Sequence, residues 1–343
     1  MQPFDIDQIP ATLEPADESV LDLDDDQFLP AFDAFKTTSL YLLESSPLRK
    51  ARPFEQAQRE IARRMRSACL SKPRDAKTFF LENFRPYRIR PRNDQSGFVT
   101  GYYQPILQAS LTKTDACSFP ILGKPKNETQ RIKSRASIET TLGEYPSMIW
   151  VKDPIEAFMA QVQGSAIARF EDGVKRRLVY DGRNGRPYTS IGRILIETGE
   201  ILAHAMSLNS LKDWVRNAGQ GVGQRGREFL WRNESFVFFR MEANALDDQG
   251  PIGGAGLPLR PMVSMATDRA IWPYGTPFVI RGDLGSVQAN WTGFRRLMIS
   301  QDTGTAIVGP ARGDIFVGTG EDAGDLAALI RHNVEMIVLL PRR

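Results

Sequence analysis

R-R-L-M-I-S-Q-D-T-G-T-A-I-V-G-P-A-R-G-D-I-F-V-G-T-G, residues 295–320, decides how the chain is read. Two apolar strands, predicted over residues 297–300 and 315–317, each lie beside an acid, Asp302 and Asp314. Glycines punctuate the segment between them. A carboxylate beside a buried strand is costly to keep charged, so its pKa rises. Where glycines also let a ligand come close, such an acid is a candidate proton donor. The plainer alternative is that both acids cap turns.

Working outward, S-F-V-F-F-R at 235–240 is a strong strand. A glycine-dense loop, G-P-I-G-G-A-G-L-P-L, follows it. A third acid, Asp268, then stands just before a turn and another strand, and is read as turn-stabilising. Downstream, a helix is expected over 321–332 and a strand over 336–340, with His332 at the helix end complementing its dipole. Late strands crossed by glycine-rich turns imply a compact β-barrel.

Upstream, helices are expected over 54–70 and 75–83, and a strand ends at Pro105. In that strand Tyr102 and Tyr103 point to opposite faces, so at least one should be exposed and able to cover a sugar ring. Residues 110–148 are polar and read as strands joined by long loops, a second β-domain inserted in the first. Gln161, Gln163 and Ser165 alternate with small or apolar residues, which would set neutral hydrogen-bonding groups along one face. The D-G turn at 172–173 joins a hairpin into residues 177–180. Further helices begin at Thr189 or Ser190, ending at Gly199, and cover 209–217. Residues 1–30 carry D-L-D-D-D and several prolines, which reads as a loosely held arm.

A chain of 343 residues with a net charge of +3 can bury a full core and presents no long basic face, so no nucleic-acid partner is expected. Cys69 and Cys117 are the only cysteines; they could pair, but a chain this long needs no disulfide framework. No apolar run reaches membrane-spanning length and no export segment opens the chain. Three motif strings fail on context. Asp22, Asp24 and Asp26 start like a calcium loop, but Gln27 replaces its glycine and Asp33 its final glutamate. G-V-G-Q-R-G at 221–226 follows a helix instead of a strand. D-T-G-T at 302–305 lacks the second loop an aspartic protease needs. No histidine or cysteine cluster has metal-ligand spacing and no nucleophile elbow occurs, so no cofactor is expected and carboxylates remain as the catalytic groups.

Taken in order, T-G-Y-Y-Q-P (100–105), Q-V-Q-G-S-A (161–166), Y-T-S-I-G (188–192), F-V-F-F-R (236–240), A-T-D-R (266–269), Q-D-T-G-T-A-I (301–307) and R-G-D-I-F-V-G (312–318) resemble the membrane-bound lytic murein transglycosylase A family, with its C-terminal three-aspartate domain. The resemblance implies a mainly β fold with flanking helices. Residues 31–107 and 236–343 would form a double-psi β-barrel, and 108–235 a smaller inserted β-barrel making the other wall of a glycan groove. It implies a peptidoglycan lytic exotransglycosylase that breaks the β-1,4 bond between N-acetylmuramic acid and N-acetylglucosamine, leaving a 1,6-anhydro end.

The family's catalytic acid lies in an R-x-D-x-F context, which matches Asp314, with Asp302 in support. Thr100, Tyr102, Tyr103, Gln163, Gly164 and Ser165 are the candidate glycan contacts. Gln104 stands where many members have glutamate. The implied partner is the peptidoglycan glycan strand, with cell-wall synthesis and degradation proteins as further candidates. A monomer working in the periplasm, associated with the outer membrane, is expected. A wall-binding module without turnover and a two-carboxylate hydrolase are the alternatives.

Overall fold

The computed structural model describes residues 9–45, 53–92, 96–242 and 250–342. The chain divides into two compact units, Met1–Tyr102 with Ile252–Gly318 and Leu329–Arg343, and Tyr103–Pro251 with Thr319–Ala328.

In the first unit an eight-stranded sheet runs Ala11–Pro15, Phe84–Pro91, Arg331–Pro341, Pro277–Gly282, Phe294–Asp302, Ser264–Thr267, Arg312–Thr319, Gly97–Gln104. The last strand pairs back onto Arg331–Pro341, with Thr100 opposite Arg331, so six strands close into a ring. Closure leaves those strands no unpaired edge. Ser264–Thr267 runs parallel to Phe294–Asp302 on one side and antiparallel to Arg312–Thr319 on the other.

The strands are buried on both faces. Val279, Leu297, Ile299, Ile337 and Leu339 pack against the helices Phe28–Ser45, Pro53–Arg64 and Pro73–Asn83, while the alternating Phe278, Ile280, Met298, Met336 and Val338 are buried as well. Six phenylalanines, Phe28, Phe32, Phe35, Phe79, Phe80 and Phe84, knit the helical layer, with Phe32 and Phe79 edge-to-face at 4.8 Å.

The expected N-terminal arm is corrected over residues 9–30, its first eight residues lying outside the described ones. Residues 11–15 pair antiparallel with Phe84–Pro91, and Val20, Leu21 and Phe28 are buried in the core. The acids of D-L-D-D-D face water while Leu23 between them is buried, so charge composition alone misread the stretch. Gln27, which spoils the calcium-loop pattern, uses its buried amide as a strand would: Nε2 donates to the Arg295 carbonyl at 3.2 Å and Oε1 accepts from Leu297 N at 3.1 Å.

The second unit carries a six-stranded sheet in the order Phe119–Leu122, Ser147–Val151, Ile106–Ser110, Ser165–Arg169, Lys175–Arg183, Val237–Glu242. A bridge between Gly123 and Phe239 joins its two ends, which makes it a small barrel around Leu107, Ile121, Ile149, Ala166, Leu178 and Phe239. Residues 165–183 form the expected hairpin, Ser165 opposite Val179. The expected alternating face at 161–165 is not a strand. Pro154–Gln163 is a helix, capped by Asp153 at its start and closed by Gly164 at φ 77°. The D-P start and the Q-G end announce it, and alternation over five residues is too short to outweigh them.

The C-terminal boundary also shifts. The helix stops at Leu329 and the last strand begins at Arg331, so His332 lies on a strand. Its Nδ1 accepts from Arg331 N at 3.0 Å and its Nε2 meets Ser286 Oγ at 2.7 Å, in place of the expected role at a helix end. Cys69 is exposed, Cys117 is buried, and both thiols are free. Residues 221–226 lie between the helices Leu208–Asn217 and Arg225–Trp231, the second beginning within the motif.

Candidate active site

Strand register brings the two acids together. Ala266 on the short central strand is the partner of Asp302 on one neighbour and of Asp314 on the other. Two residues flanking one position of a middle strand are about 10 Å apart at Cα, within reach of each other through their side chains. A register shift between Met265 and Ala266 accompanies the pairing with Asp302.

Asp314 shares a strand face with Arg312 and Phe316, two residues to either side. Thr100 Oγ1 donates to Asp314 Oδ1 at 2.5 Å. The same Thr100 oxygen accepts from Arg312 Nη2 at 2.7 Å. Arg312 is further held by the Gly313 carbonyl and by the Phe98 ring, 5.3 Å away. Burial pushes the Asp314 carboxyl up to about 6; the Thr100 hydrogen bond and the Arg312 charge oppose that rise, and the neighbouring Asp302 adds to it. Burial likewise lowers the Arg312 guanidinium from its ordinary value.

Asp302 is gripped differently. Its Oδ1 accepts from Gly254 N at 2.7 Å and Thr303 N at 2.9 Å, and its Oδ2 from the Tyr102 hydroxyl at 2.8 Å. Burial raises its pKa, and those three donors pull it back. Burial and then the Asp302 charge hold the Tyr102 phenol well above its usual range, so it stays a donor. The Tyr102 ring packs on Phe316, centroids 5.4 Å apart. Gly254 must be glycine: a Cβ there would stand 2.2 Å from the Tyr274 hydroxyl and 3.3 Å from Asp302 Oδ1.

Of the residues singled out in the sequence, Asp314 with Thr100 and Asp302 with Tyr102 form two hydrogen-bonded pairs, coupled to each other through charge. Asp268 serves its turn instead, its Oδ1 accepting from Ala270 N and its Oδ2 from Gly309 N. Within the second unit, Tyr103 N donates to Gln163 Oε1 at 3.1 Å, Tyr103 and Ser165 are buried, and Gly164 closes the helix. Tyr102 is half-buried. Sequence reasoning missed Arg312 and Gly254. Arg312 was legible as a cation two residues before an acid on one strand face; the Gly254 contact spans 48 residues and had no local signal.

Among the described residues, no group of three or more His, Cys, Asp or Glu side chains is placed to hold a metal ion, and no helix is long and apolar enough to cross a membrane.

Two family models match, in sequence order: the MltA specific insert domain over residues 98–240 and the 3D domain over 263–340. The membrane-bound lytic murein transglycosylase A of Vibrio cholerae is 35% identical over 247 residues, 70% of this chain and 64% of that protein. The match thus spans just under two thirds of the relative's length. Among solved structures, a membrane-bound lytic murein transglycosylase from Agrobacterium tumefaciens matches with a TM-score of 0.78 at 28% identity, covering 96% of this chain and 98% of that one. E. coli MltA with bound chitohexaose matches with a TM-score of 0.71 at 27% identity, covering 99% of this chain and 94% of that one. The two domain matches take in both acids and Thr100, and the structural likeness extends over nearly the whole chain; it belongs to the membrane-bound lytic murein transglycosylase A family.

Proposed function

We propose that this chain is a lytic transglycosylase that cleaves peptidoglycan between N-acetylmuramic acid and N-acetylglucosamine, with Asp314 as its only proton-transferring acid. The observation that carries this reading is the inequality of the two carboxyls. Asp314 is pushed up to about 6 and keeps an oxygen beyond the one bound by Thr100, whereas both oxygens of Asp302 are engaged by Gly254, Thr303 and Tyr102. A group titrating near neutral pH can give and take a proton in one cycle.

Protonated Asp314 donates to the glycosidic oxygen as the bond to the muramyl anomeric carbon breaks. The muramyl 6-hydroxyl oxygen then bonds that carbon, and its proton passes to the Asp314 carboxylate. The acid is restored, no water is added, and a 1,6-anhydro end results. The nucleophile belongs to the substrate, so the second carboxylate of ordinary glycosidases is not required. Asp302 acts on Asp314 as the neighbouring carboxyl whose charge adds to the rise of its pKa.

The chitohexaose in the E. coli relative supports a β-1,4-linked amino-sugar strand as the ligand, and the relatives' names support murein as the substrate. Peptidoglycan as substrate implies work in the periplasm. Tyr102 is the glycan contact best supported by its half-buried position beside both acids; Tyr103, Gln163, Gly164 and Ser165 are further candidates in the second unit.

The test is digestion of purified murein followed by mass analysis. Anhydro ends, lacking one water relative to hydrolytic ends, are expected. Water-bearing ends would favour a hydrolase using Asp302 and Asp314. Binding without turnover by the unaltered protein would favour a wall-binding module.

A further inference from the structure

Arg312 takes no part in the reaction just described, yet three contacts immobilise it: the Gly313 carbonyl, the Phe98 ring and the Thr100 hydroxyl. A guanidinium has only donors, and a hydroxyl has one hydrogen and two lone pairs. At 2.7 Å, Arg312 Nη2 therefore donates and Thr100 Oγ1 accepts. The one hydroxyl hydrogen is left for the other neighbour, Asp314 Oδ1, 2.5 Å away. The reverse arrangement would direct a second donor, a protonated Oδ1, onto an oxygen already accepting from a cation, and would leave the hydroxyl hydrogen without a partner. Donation by a charged group also polarises the hydroxyl and strengthens its onward bond.

We propose that Arg312 is a positioning residue for Asp314: through the Thr100 hydroxyl it makes Oδ1 a permanent acceptor, so that the transferable proton resides on Oδ2. Thr100, a candidate glycan contact from its sequence position, is on this reading the middle of a relay, its hydroxyl engaged on both sides. The relay deepens the proposed transglycosylase reaction and rests on that reading for its purpose: a proton confined to one oxygen is delivered from one direction in every turnover. Local geometry suits the role. Arg312 and Asp314 are two apart on one strand, which fixes their spacing, and the intervening Gly313 turns away toward Met265, where a Cβ would lie 2.6 Å from Sδ.

The test is a double-variant titration of Asp314 by carbon-13 NMR of carboxyl-labelled aspartate, on the whole chain without murein. The unaltered protein should titrate near 6. Arg312→Met should raise the midpoint by about one unit, a tenfold gain in proton affinity, since it removes both the cation and its polarisation of Thr100. In a Thr100→Val background the same change should raise it by only about half as much, because only the direct charge effect is left. Thr100→Ser, which keeps the hydroxyl, should restore the full Arg312 effect. The Asp302 signal, whose donors these changes leave in place, reports that the site remains folded.

An equal Arg312 shift in both backgrounds would overturn the relay, since Arg312 would then act by charge alone. No shift from Arg312→Met would also overturn it. Because the titration needs no turnover, coupled shifts in a protein that makes no anhydro ends would keep the relay and sink the proposed function.

Discussion

Each unit encloses carboxylates, and they are held in opposite ways. In the second unit Glu139 is buried between two guanidiniums: Arg135 Nη1 lies 2.9 Å from Oε1 and Arg227 Nε 2.7 Å from Oε2, with Trp231 Nε1 donating at 2.8 Å. Arg135 also donates to the Asn233 and Ser235 carbonyls and stands over the Phe158 and Phe236 rings at 4.7 and 5.0 Å. Glu139 is thus compensated by formal charges at contact distance. Asp314 in the first unit has one neutral hydroxyl bonded to it, and Arg312 bonds that same hydroxyl. A carboxylate held at contact distance by two cations serves as a structural tie. An under-compensated one shifts toward the neutral acid and becomes a reagent. Partner choice, and not depth of burial, separates the two.

The largest expected effect removes the reagent. Asp314→Asn should lower anhydro-muropeptide release by about 10³-fold or more, in keeping with the loss of a general acid. It should also stabilise the protein at pH 7. The folded pKa of Asp314 is raised from 3.8 to about 6, so its contribution is fully present below about pH 4 and is lost as pH rises through 6. Two units correspond to about 3 kcal/mol, which partial exposure reduces to about 2. Urea unfolding at pH 4 and pH 7 checks this: a gain at both pH values, or at neither, contradicts the raised pKa.

Breaking the tie in the other unit should do the reverse. Glu139→Ala leaves Arg135 and Arg227 buried and facing each other, which should cost about 3–5 kcal/mol. Hydrogen exchange in the helix Arg225–Trp231 is the readout. A loss below about 1 kcal/mol would mean the cluster is looser than its geometry and that the contrast with Asp314 is overstated.

The pH profile of the unaltered protein is the next test. Turnover requires Asp314 protonated at the start, so kcat/KM should fall as pH rises through about 6, tenfold per unit well above it. A plateau extending to pH 8 would require another proton donor.

Much of this was legible in the chain, for local reasons. The strands carrying Asp302 and Asp314 are apolar runs bounded by glycines, and the resemblance spans both domain matches. Two kinds of feature were not legible. Where short periodicities compete, as at Gln161 and Gln163, alternation over a few residues misled and the helix caps on either side held the information. Where a side chain substitutes for backbone or reaches across the fold, no local pattern exists. Gln27 closing onto residues 295 and 297, and Gly254 N on Asp302, depend on tertiary approach alone. Thr100 and Tyr102 were picked out for possible contact with sugar; their hydrogen bonds to the two acids could not be inferred without the barrel closing Gly97–Gln104 beside Arg312–Thr319.

The smallest expected effect has the most informative sign. Tyr102→Phe removes the hydroxyl that donates to Asp302 Oδ2 and leaves the Gly254 and Thr303 amides on Oδ1. Losing a donor to the charged form raises the pKa of Asp302 further, so it holds its charge over a narrower range of pH. The repulsion that helps keep Asp314 protonated then weakens, and the Asp314 midpoint should fall by about a few tenths of a unit. This is opposite in sign to the rise expected from Arg312→Met, although both changes delete a hydrogen-bond donor from the site. Carbon-13 titration of Asp314 separates the two, whereas a loss of turnover would look alike in both. A rise in Tyr102→Phe would mean that general desolvation outweighs the Asp302 charge, and would reduce Asp302 from an electrostatic neighbour to a fixed part of the strand end.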